Sequence, residues 1–122
     1  MHTMTSLATT LGLVLLSASG AAQADEMLPI TIVNNNTNDV IVTVRDLNTL
    51  AHTKVLVAQR INGFASIPVS ITAGADGTGH VRWRATSAGD DPKCGAKDRP
   101  GLGSNASVHV YAKSDCPARV PR

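Results

Sequence analysis

Large aromatic rings are scarce in this sequence, since Phe64, Trp83 and Tyr111 are the only three in 122 residues. Sites for sugars and single-stranded nucleic acids stack their ligands on several such rings, each stacked base contributing about 1–3 kcal/mol. With at least one ring needed for a core, no such platform is expected. Glutamate is rarer still, Glu26 being the only one. Paired catalytic carboxylates would therefore have to be aspartates, and Asp76, Asp90, Asp91 and Asp98 fall among turn-forming residues. The chain has no G-x-S-x-G elbow and no calcium loop of the D-x-[DN]-x-[DN]-G type. Acid, base and nucleophile do not come together in the sequence, so no enzyme, catalytic residue or cofactor is expected. A net charge of +2, without a clustered basic run, also argues against a nucleic-acid partner.

Lysine and arginine are absent before Arg45, yet the first 24 residues have a recognisable layout. An apolar run from Leu7 to Ser17 leads into small residues, an Ala22-Gln23-Ala24 site and the charged pair Asp25-Glu26. This is the order of a secretory signal peptide. The run is shorter than the roughly 20 apolar residues of a membrane span. We therefore expect a signal peptide over 1–24 and one small domain over 25–122, without a membrane span, in the periplasm or secreted. Such a compartment is oxidising, and the two cysteines, Cys94 and Cys116, then read as one structural disulfide.

Apolar and polar residues alternate with a period of two through most of the domain, the signature of strands wet on one face. The pattern predicts strands over 29–33, 40–47, 54–61, 64–72, 80–86 and 107–112. Turn-forming clusters separate them, among them Asn34 to Asp39, Asn62-Gly63 and Ala73 to Gly79. Pro68 cannot donate to a ladder, so its strand should lie at a sheet edge or be interrupted. Residues 87–105 lack any period and read as a long loop, and 114–122 as a short tail held by Cys116. About six short strands joined by turns predict a small antiparallel β-sandwich, immunoglobulin-like or Greek-key.

The most concrete surface feature is the row His80, Arg82 and Arg84, which alternation places on one strand face. If the strand carrying His109 and Tyr111 lies beside it, these join the same surface. Arginines with a phenol suit phosphate, carboxylate or acidic polysaccharide. The candidate anion-binding residues are therefore His80, Arg82, Arg84 and Tyr111. A metal site has weaker grounds, because only a cross-strand pairing of His80 with His109 would bring two imidazoles together. The plain alternative for the whole row is the solvated face of a sheet.

The run Ile61-Asn62-Gly63-Phe64-Ala65-Ser66-Ile67-Pro68-Val69, with Gly77 to Trp83 and the two late cysteines, resembles small exported proteins of Gram-negative bacteria with no established activity. More loosely, a strand, an Asp-Gly turn and a strand with a central Trp is similar to one hairpin of immunoglobulin-like sandwiches. Both cysteines follow Trp83, unlike the immunoglobulin order. The resemblance implies an envelope or secreted protein and carries over no catalytic residue. The expected function is a non-enzymatic exported interaction module, its partner an anionic envelope component or another protein. The alternative is a small periplasmic metal- or anion-binding protein using His80, His109 and the neighbouring arginines.

Overall fold

The structure is a computed structural model and describes residues 26–117. The expected signal peptide lies outside those residues. Eight strands form, β1 (Met27–Asn34), β2 (Val40–Asp46), β3 (Lys54–Ile61), β4 (Ser66–Thr72), β5 (Gly79–Ser87), β6 (Lys93–Leu102), β7 (Ala106–Val110) and β8 (Ser114–Asp115). They make a three-stranded sheet in the order β4-β1-β7 and a five-stranded sheet in the order β3-β2-β5-β6-β8. The β-sandwich and its single disulfide, Cys94–Cys116, are as expected. Pro68 sits on β4, an edge strand pairing only with β1, where its missing N–H costs no ladder bond.

Three expectations need correction. There are eight strands rather than about six, because residues 87–105 are not one long loop and the tail contributes a short eighth strand. Lys93 to Leu102 forms β6, paired antiparallel with β5 from Thr86↔Cys94 to Gly79↔Leu102. Its Gly, Pro and charged residues hide the strand because the side of β6 that faces the core direction overhangs the opposite sheet. That side therefore needs no apolar row. The sandwich is also not wholly antiparallel, since β7 pairs with β1 in parallel.

Alternation does the packing. Ile30 and Ile32 of β1, Val40, Val42 and Val44 of β2, and Val81, Trp83 and Ala85 of β5 are all buried between the sheets. Ile71, Val108 and Val110 close the core from β4 and β7. In β3 the alternation breaks at a bulge where Val57 and Ala58 together face Thr43, and Ala58 adopts a positive φ of 45°. The Thr43 hydroxyl accepts the Ala58 N–H at 3.0 Å, standing in for the displaced ladder carbonyl.

Two buried polar side chains fasten the sheets at opposite ends. Asn34, at the end of β1, donates through Nδ2 to the carbonyls of Asn38 (2.9 Å), Ile61 (3.0 Å) and Asn62 (3.1 Å). Its Oδ1 accepts the Asn36 N–H at 2.8 Å. Asp46, at the end of β2, accepts the N–H of Thr72 on the other sheet at 2.7 Å and that of Asn48 at 3.1 Å. Backbone groups at strand ends lose their ladder partners, and these side chains replace them.

Candidate functional site

On the outer face of the five-stranded sheet, β5 presents His80, Arg82 and Arg84 as alternation requires, Arg82 and Arg84 being exposed and His80 half-buried. The neighbours of β5 are β2 and β6, so the strand carrying His109 does not lie beside it. His109 is on β7 of the other sheet. The cross-strand His80–His109 pair needed for the weak metal reading is therefore not formed. Among the described residues, no three His, Cys, Asp or Glu side chains are grouped to hold a metal ion.

Arg82 is committed within the fold. Asp98, its register partner on β6, accepts two bonds from the guanidinium, from Nε at 2.7 Å and Nη2 at 3.1 Å. The Arg82 hydrogen bond holds the Asp98 carboxyl below the usual carboxylate range, and Asp98 in turn raises the guanidinium pKa. Both groups are solvent-exposed, so the pair fixes geometry more than it adds stability. Opposite Arg82 on β2 lies Arg45, which donates to the His52 carbonyl at 3.2 Å. Arg45, Arg82 and Arg84 line one small hollow together with Thr43. Among the described residues, Arg84 has no salt-bridge partner.

Arg84 also lines a concavity of about 510 Å³ with Thr86, Ala96, Tyr111 and Ser114, next to Cys94. Tyr111 and Arg84 thus border one concavity, although Tyr111 does not lie on a strand beside β5. The chain leaves β7 and crosses from one sheet to the other through residues 111–113, before pairing as β8 with β6. Gly95 permits this crossing, because a Cβ there would collide with the Tyr111 carbonyl oxygen. The Lys113 N–H then donates to the Cys94 carbonyl at 3.2 Å. The disulfide and the Lys93–Asp115 ion pair hold the end of the crossing. The Lys93 ammonium depresses the Asp115 carboxyl pKa by hydrogen bonding, and its own is raised by the same contact.

The three rings divide by role. Trp83 is fully buried, its centroid 5.0 Å from that of Tyr111 in an edge-to-face arrangement. The Trp83 Nε1 is a buried donor without a hydrogen-bond partner. Lys113 Nζ lies 5.6 Å from the Tyr111 ring centroid, within reach of a cation–π contact. Phe64 is 64% exposed in the β3–β4 turn and adopts a φ of 59°. Sequence patterning extends β4 through Phe64, but Gly63 packs against the Thr37 backbone and the Phe64 N–H donates to Asn36, which fixes the turn.

A scan of protein-family models finds no match to this chain, and searches of curated proteins and of solved structures find none either.

Proposed function

We propose that this protein is a non-enzymatic, exported binding module that contacts an anionic partner through the outer face of the five-stranded sheet, centred on Arg84. The supporting observation is the hollow shared by Arg45, Arg82 and Arg84. The side chains of all three border it, and the acid that faces Arg82, Asp98, is already engaged by it. An incoming carboxylate or phosphate would find three cationic side chains there and use the planar donor fork of Arg84, which has no salt-bridge partner among the described residues. The adjoining concavity adds the Thr86 and Ser114 hydroxyls and the Tyr111 ring, groups suited to a polyhydroxylated acidic ligand. The disulfide fits the oxidising compartment that the leader-like first 24 residues suggest.

Retention of the disulfide-bonded protein on immobilised polygalacturonate tests this reading. Arg84→Ala should weaken retention with an unchanged melting temperature, because Arg84 has no salt bridge to lose. Added salt should weaken it too, since exposed charges are screened over roughly 8–10 Å. Retention indifferent to Arg84→Ala and to salt would leave the arginine row as a solvated sheet face.

A further inference from the structure

The flank between β6 and β7 is built differently from every other edge of the sandwich. Exposed strand edges invite pairing with foreign strands, and proteins blunt them with bulges, prolines or charges. On β3 the bulge at Ala58 does this, and on β4 it is Pro68. The β6 edge carries Lys97, Asp98, Arg99 and Pro100 in succession, and β8 covers its other end. The β7 segment, Ala-Ser-Val-His-Val, has neither proline, bulge nor acid.

One bond fixes its backbone direction. Asn35 N–H donates to the Val110 carbonyl, so Val110 and, by alternation, Val108 turn their amides toward β1, while the Ala106 N–H is taken by the Gly103 carbonyl of the preceding turn. The amides of Ser107 and His109 therefore turn outward, where no strand of the described residues pairs with them. A strand added at this position would extend the three-stranded sheet over the overhanging inner side of β6. What it would meet there follows from register. Lys97 is paired with Trp83 and Arg99 with Val81, both core-facing, so Lys97 and Arg99 lie on that same side of β6. Lys97 is exposed and Arg99 half-buried, and neither has a salt-bridge partner among the described residues.

From this we infer that the β6–β7 flank accepts an extended acidic peptide segment of a partner protein as a fourth strand on β7. Main-chain bonds to Ser107 and His109 supply the pairing, and acidic side chains at alternate positions face Lys97 and Arg99. A second copy of this chain is disfavoured as occupant, because two-fold pairing of β7 with itself would bring four cations onto one seam. The inference goes beyond the Arg84 reading and uses another surface, so each can fail alone.

The probe is an acetylated and amidated hexapeptide, Thr-Asp-Val-Asp-Val-Thr, with Thr-Lys-Val-Lys-Val-Thr as control. Titration into the disulfide-bonded chain, followed by NMR, should show the acidic peptide alone slowing amide exchange at Ser107 and His109. The double charge reversal Lys97→Glu with Arg99→Glu should weaken it by about tenfold or more, as like charges now face each other. His109→Pro removes an outward donor while leaving the ladder to β1 intact, and should also weaken binding. Arg84→Ala should leave it unchanged, which separates this surface from the arginine row. Equal binding of the two peptides, unchanged exchange at Ser107 and His109, or a dimer that protects those amides would overturn the inference.

Discussion

The two flanks of this sandwich solve the same problem with different chemistry. At the β3–β4 flank the inward positions are apolar, with Ile61 and Ile71 buried and Leu56, Ile67 and Val69 packed against the core. A four-residue turn joins the strands, and Asn34 ties the end of β3 to the other sheet. At the β6–β7 flank the corresponding positions of β6 are Gly95, Lys97 and Arg99. There the chain is fastened by a covalent bond and a crossing segment rather than by a sealed apolar seam. One side is closed by burial and the other by a tether. A tethered side keeps its shape while leaving polar groups exposed.

The sharpest way to break that contrast is at Trp83, where the open side borrows most from the core. Trp83→Ala should cost about 3–5 kcal/mol in chemical denaturation, the range for emptying a large aromatic site. A cost near that of a surface substitution would mean that the Tyr111 crossing does not rest on a packed ring. Next comes the tether. Replacing Cys94 and Cys116 by serine should cost roughly 3 kcal/mol, as expected for freeing a loop of this size. Amide exchange should rise at β8 and residues 111–113 and stay low at β3 and β4. Equal loosening of both flanks would erase the distinction.

Asn34→Ala probes the closed side. It strips partners from the Ile61 and Asn62 carbonyls and should cost about 1–3 kcal/mol, the usual penalty for orphaned buried polar groups. Acid gives the smallest effect. Asp98 and Asp115 have lowered pKa values in the folded state, so their contribution is complete above the ordinary carboxylate range. It is lost as pH falls through those lowered values. Because the partners are Arg82 and Lys93, amide exchange on the β5–β6–β8 side should rise, after correction for the intrinsic rate, once the pH passes below the ordinary carboxylate range. Exchange measured at pH 3 against pH 6 reads this directly.

What could be read from the sequence follows the same division. Strands with one face on the core, such as β2 and β5, announce themselves by alternation, and so Val42, Val44, Val81 and Trp83 were legible as core. Pro68 likewise marked an edge. β6 did not announce itself, because a strand that overhangs its partner sheet has no apolar row to display. With β6 hidden, the Arg82–Asp98 pair was hidden too, and Arg82 stood among the free cations of the row. The meeting of Arg84 with Tyr111 depends on the crossing over Gly95, a tertiary event with no local periodicity. The parallel pairing of β1 with β7 is equally silent, since it joins segments from opposite ends of the domain.

That parallel pairing sets an order of events when the chain folds. β1 is the middle strand of its sheet, but its second neighbour is the last long strand to be made. Until Ala106 to Val110 arrives, the smaller layer is only the β1–β4 pair, and two strands alone are marginal in water. Contacts between such distant segments also require costly loop closure, which slows folding. A chain truncated before Ala106 should therefore remain protease-sensitive, and the domain should acquire its native structure only once Ala106 to Val110 is present. A keystone placed this late in the domain holds the smaller layer open until the last long strand arrives.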